Sequence, residues 1–84
     1  MIFEYTPKGV CSRKYTFDIE GDVINSLTVI GGCNGNLKGI SNIVRGMTID
    51  KVIENFEGVD CGGKGTSCPD QISRALKSYK EKYL

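Results

Sequence analysis

The stretch KYTFDIEGDVINSLTVI, residues 14–30, decides the fold. Tyr15, Phe17 and Ile19 alternate with polar residues, the period of a strand with one buried face. Gly21-Asp22 follows, the kind of pair that reverses a chain between two apolar runs. Residues 24–30 are rich in β-branched side chains and read as the returning strand. Setting Tyr15 opposite Val29 and Phe17 opposite Leu27 keeps both apolar sets on one face. Partner numbers then sum to 44, which implies an odd-length loop around Asp22. Extended outward, the same ladder brings Cys11 opposite Cys33.

Outside the hairpin, residues 2–5 (IFEY) form a further short strand, ended by Pro7 and Gly9. After GGCNGN the period changes. Leu37, Ile40 and Val44 stand at i, i+3 and i+7, predicting a first helix that stops at Gly46. Thr48 caps a second helix with Asp50 in its first turn, an apolar stripe of Ile49, Val52, Ile53 and Phe56, and an end at Gly58. A third helix starts at Cys68 or Pro69, because proline suits the first turn. Its stripe is Ile72, Ala75, Leu76, Tyr79 and Tyr83, with Lys80 and Lys82 at the C-terminal end. Three strands followed by three helices predict a single α+β domain over residues 1–84, its helices packed on one face of a small antiparallel sheet.

The chain is 84 residues long, 39% hydrophobic and 8% aromatic with no Trp, so its core gains from an extra staple. A net charge of +1 gives no global attraction to nucleic acid, membrane surfaces or acidic substrates. MIFEYTPKGV carries Glu4 and lacks an apolar signal-type run, and no stretch is apolar enough to span a membrane. The expected location is therefore the cytoplasm, where thiols stay reduced. Four cysteines without any histidine then point to metal or redox chemistry before disulfides.

The cysteine settings share a theme. Cys11 and Cys33 lie at the open end of the hairpin, and Cys33 also opens the first helix. In CGGKGTSCPDQI, residues 61–72, Cys61 sits in a glycine-rich approach and Cys68 opens the last helix. Unpaired N–H groups and the dipole at a helix start favour thiolate, the form that binds a metal. Four thiolates suit tetrahedral zinc or an iron–sulfur cluster. The spacing is not that of a zinc ribbon, since six residues separate Cys61 from Cys68. Two other readings stay open: a thiol redox or sulfur carrier in which Cys61 and Cys68 exchange electrons, and a plain interaction domain whose cysteines are inert.

Other features read as structural. Gly58, Gly63 and Lys64 imitate a phosphate-binding loop, but Gly65 stands where that loop needs Ser or Thr and no strand precedes it. Amides near Thr66 and Ser67 could hold an anion with Lys64, whereas capping by Ser67 or Cys68 is the simpler role. Arg74, Lys77, Lys80 and Lys82 form a solvated basic side of the last helix. Asp60 and Asp70 could supply an oxygen ligand or base, although Asp70 also suits a first helical turn.

Residues 66–70 spell TSCPD, and the chain resembles the stand-alone proteins of the TSCPD-domain family along essentially its whole length. Related domains form the cysteine-bearing C-terminal end of cobalamin-dependent ribonucleoside-diphosphate reductase. The resemblance implies a link to that enzyme, with nucleotide binding and DNA synthesis as implied roles. A chain of 84 residues has no room for the reductase barrel, its radical machinery and its nucleotide sites. The order of elements is also similar to iron–sulfur scaffolds of the NifU/IscU type. In those, cysteines precede a hairpin, follow it in a Gly-Cys turn and open the last helix, as Cys11, Cys33 and Cys68 do here. Arg45-Gly46-Met47-Thr48-Ile49-Asp50 resembles the turn between their helices. This chain departs from the scaffolds in three ways: Ser67 replaces a histidine, Arg13 replaces an aspartate, and Cys61 is additional.

The leading expectation is a small metal-binding module using Cys11, Cys33, Cys61 and Cys68, with zinc ahead of an iron–sulfur cluster. No catalytic residue is expected within it. The expected partner is a ribonucleotide reductase or another redox protein, with no direct contact to nucleic acid or membrane.

Overall fold

The computed structural model describes residues 1–10, 12–31, 34–59, 63 and 65–83, with residues 34–37 described by their backbone alone. The elements follow the order β1 (Ile2–Tyr5), β2 (Ser12–Glu20), β3 (Val23–Gly31), α1 (Asn34–Val44), α2 (Ile49–Phe56) and α3 (Cys68–Tyr83). The strands form one antiparallel sheet in the order β1-β2-β3. Three strands followed by three helices make an α+β domain, as the change of hydrophobic period predicts.

The hairpin register holds at its centre, where Tyr15 faces Val29, Thr16 faces Thr28 and Phe17 faces Leu27. It shifts at both ends. Beyond Asp18 the pairs become Ile19 with Ile24 and Glu20 with Val23, which leaves Asn25 as an extra residue on β3. The loop is therefore the two-residue turn Gly21-Asp22, not an odd-length one, and Gly21 supplies the positive φ of 64° that a tight turn requires. At the open end, Lys14 pairs with Ile30 but Ser12 pairs with Gly31, so Arg13 bulges out of β2. The simple ladder thus stops short of the cysteines, and the expected Cys11–Cys33 juxtaposition lies outside the described residues.

The buried face collects Phe3, Tyr15, Phe17, Ile19, Ile24 and Leu27 from the sheet. Against them pack Val44 of α1, Ile49 and Val52 of α2, and Ile72, Ala75, Leu76 and Tyr79 of α3. Phe3 meets Tyr79 edge-on at 5.4 Å between ring centroids, an aromatic arrangement favoured by the ring quadrupoles. Tyr83, expected on the buried stripe, is half exposed and meets the core edge-on at Phe3 and in a tilted contact with Tyr79. Leu37's side chain lies outside the described residues, whereas Ile40 packs on the core edge.

The turn between α1 and α2 adds to the start of β3. Ile24 N–H donates to Met47 C=O at 2.9 Å, and Gly46 N–H donates to Ile24 C=O at 2.7 Å. Thr48 caps α2 by accepting a hydrogen bond from Lys51 N–H, as its place before the apolar stripe predicts. No helix among the described residues is long and apolar enough to cross a membrane.

Candidate functional site

The start of α3 is held by the side chains of residues 66–73. Ser67 is the N-cap: its Oγ accepts from Asp70 N–H at 3.1 Å, and its hydroxyl donates to Val59 C=O at 2.6 Å. Cys68 is then the first helical residue, and Pro69 falls where a missing N–H costs nothing.

Asp70 is not available as an oxygen ligand or base. Its carboxylate, on a side chain only 5% exposed, accepts from Thr66 Oγ1 at 2.6 Å, from Gly58 N–H at 2.8 Å and from Arg74 Nε at 3.0 Å. These donors hold its carboxyl below the ordinary value. The Thr66 hydrogen bond is the largest cause, burial opposes it, and the Gly58 amide and the Arg74 charge add to it. Gln71 extends the network, donating from Nε2 to Thr66 Oγ1 at 2.9 Å and accepting Lys8 N–H at 3.1 Å. Ser73 donates to Asp70 C=O at 2.6 Å. Among the described residues no buried side-chain nitrogen or oxygen lacks a partner, so this polar cluster does not carry the penalty of unsatisfied burial.

The Thr, Ser and Asp of the TSCPD motif therefore work as a clamp. Ser67 and Asp70 tie Gly58-Val59 to the first turn of α3, and Gln71, bonded to Thr66, ties the segment around Lys8.

Cys68 is partly buried, and its Sγ lies 3.4 Å from Ser12 Oγ. Ser12 Oγ is in turn 2.7 Å from the Tyr15 hydroxyl, which donates to Cys68 C=O at 3.3 Å. Ser12 follows Cys11 directly in the chain, and its strand partner Gly31 precedes Cys33 by two residues. Val59, which accepts from Ser67, precedes Cys61 by two. Ser12 thus touches Cys68, Gly31 lies beside Ser12 in the sheet, and Val59 bonds the residue before Cys68.

Cys11, Cys33 and Cys61 themselves lie outside the described residues, as do Asp60 and Lys64. Among the described residues no group of three or more His, Cys, Asp or Glu could hold a metal. A thiolate at a helix start, as at Cys68, is favoured by the dipole. In the ring as it stands Tyr15 donates to Cys68 C=O and Ser12 to Tyr15, so the Cys68 thiol donates to Ser12 Oγ. On deprotonation Ser12 would have to turn its proton to the sulfur.

Sequence reasoning missed Ser12, Tyr15 and Gln71. The spacing Ser67-x-x-Asp70 is a capping-box signature and points to the cap, yet the carboxylate turns away from the cap to Thr66 and Gly58. The basic side of α3 is largely ion-paired: Lys77 bonds Glu57, Lys80 bonds Asp50, and Arg74 bonds Asp70.

The TSCPD domain family model matches residues 2–80, nearly the whole chain, and the protein belongs to that family, which is associated with ribonucleotide reductases. No curated protein and no solved structure matches it.

Proposed function

We propose that this TSCPD-domain protein is a small metal-binding module whose centre is held by the thiolates of Cys11, Cys33, Cys61 and Cys68. The observation that carries the reading is the contact of Ser12 Oγ with Cys68 Sγ at 3.4 Å. It joins the mouth of the hairpin, beside Cys11 and Cys33, to the first turn of α3. A histidine-free set of four thiolates matches structural zinc, with an iron–sulfur cluster as the second choice. The buried clamp around Asp70 supports a structural centre, because it anchors three segments that the ligands flank.

The centre serves folding and presents the module to a partner, for which the family points to a ribonucleotide reductase or another redox protein. The competing reading is a dithiol carrier using Cys61 and Cys68, favoured by the same helix-start position of Cys68.

The deciding experiment is purification without oxygen, followed by measurement of zinc, iron, acid-labile sulfide and titratable thiols per chain. Zinc near one per chain without colour supports the structural zinc centre; iron with sulfide assigns a cluster instead. A metal-free, fully folded protein with four titratable thiols defeats the metal reading and puts the carrier first.

A further inference from the structure

Helix α1 carries a second stripe beside its apolar one. Lys38, Ser41, Asn42 and Arg45 recur at i, i+3, i+4 and i+7, so they share one face. With β3 they enclose a cleft of about 390 Å³ whose lining includes Leu27 and Val29 and reaches Gly31. Arg13, the residue bulged out of β2, approaches Gly31 but does not itself line the cleft. Its Nε stands 3.1 Å from the point a Cβ on Gly31 would occupy, so the glycine lets the guanidinium lie close over the strand.

Lys14, Arg74, Lys77 and Lys80 pair with acids, whereas Lys38 and Arg45, like Lys8, Arg13, Lys51 and Lys82 elsewhere, have no ion pair among the described residues. No acid lines the cleft among the described residues. A nearly neutral chain that gathers unpaired cations around one concavity creates a focused positive field there.

We propose that this cleft binds an organic phosphate monoester, with the phosphate on Lys38 and Arg45 and the organic body against Leu27 and Val29. Its volume lies in the range of about 300–1,000 Å³ typical of small-ligand pockets, which favours a small molecule over a polypeptide. Guanidinium groups match phosphate oxygens through paired N–H donors, and the Asn42 amide offers a further donor. The apolar wall distinguishes an ester from the bare anion. None of the cleft's lining residues is a cysteine, although its Gly31 end stands two residues from Cys33, one of the proposed ligands.

The test is an amide NMR titration of the full protein, purified without oxygen, with phenyl phosphate, inorganic phosphate and an all-glutamate decapeptide. Phenyl phosphate is expected to shift amides in β3 and along residues 38–45, binding at least about threefold tighter than inorganic phosphate because it buries its ring. Arg45→Gln and Lys38→Gln should each weaken it about tenfold, and added salt should weaken it further. Lys82→Gln, at the exposed end of α3, should leave it unchanged. Absence of shifts at these amides, or binding insensitive to both substitutions in folded variants, overturns the proposal. Equal affinity for phenyl and inorganic phosphate marks an adventitious anion only and overturns it as well. Shifts produced by the peptide alone would replace it with an acidic protein partner.

Discussion

Ser12 Oγ and Cys68 Sγ lie 3.4 Å apart although 56 positions separate them in the chain. This contact closes a ring through the Tyr15 hydroxyl and the Cys68 carbonyl, and it couples the sheet to the start of α3. A thiol held in this way has its orientation set by the fold before any ligand arrives, which is what preorganises a metal donor.

Cys68→Ser keeps the shape of the residue and removes the soft donor. Bound metal should fall and the melting temperature should drop by more than about 10 °C, since roughly 2 kcal/mol moves Tm by that order in a domain of this size. Metal analysis alongside calorimetry checks it. Unchanged metal content and Tm would remove Cys68 from the site.

Asp70→Asn places an amide where three donors converge. The loss of charge-assisted hydrogen bonds from Thr66, Gly58 and Arg74 should cost about 2–4 kcal/mol, with no change in which metal is bound. Urea unfolding measures the loss. A cost within experimental error would show that the clamp contributes nothing to stability.

Asp70 also makes stability depend on pH, and its direction follows from the lowered carboxyl. Because the folded-state pKa lies below the unfolded value near 3.8, the unfolded chain binds the proton first as pH falls. The stabilisation is complete above the unfolded value and disappears as pH drops through the folded one. Urea midpoints taken downward from pH 6 should therefore fall less in Asp70→Asn than in the parent protein. Parallel pH profiles would assign the acid sensitivity to other groups.

Gly31→Ala should destabilise by about 1–2 kcal/mol, because an L-residue is disfavoured at the φ of +81° found there. The new Cβ would also press on Arg13 Nε. Arg13→Ala in the same chain should recover the steric share of the loss and leave the backbone share, and a double-mutant cycle in urea reads the two parts. Full recovery would mean that backbone strain contributes nothing.

Lys77→Ala and Lys80→Ala remove ion pairs between α3 and α2 on the exposed side. Each should change stability by less than about 1 kcal/mol, and less still at high salt. A larger loss would give these pairs a part in docking α3.

The strands, the helices and the α2 cap were legible in residue order, since each depends on a period or on neighbours within four positions. So were the helix stripes apart from Tyr83, which is half exposed, and Leu37, whose side chain lies outside the described residues. Tyr15, Phe17 and Leu27 announce one buried face, and Thr48 announces the helix that follows it. The bulges at Arg13 and Asn25 were not legible, because periodicity says which face a residue takes but not where a ladder slips to satisfy twist and turn. The clamp was only half legible. Ser67-x-x-Asp70 advertises a cap, yet Asp70 finds its partner at Gly58, Gln71 at Lys8 and Cys68 at Ser12. Those partners are distant in sequence, and only the packing of α3 against the sheet brings them within hydrogen-bond range. Local periodicity therefore determined the elements and their buried faces. Tertiary packing decided which polar groups are consumed in holding the chain together, because a buried hydrogen bond depends on proximity in space.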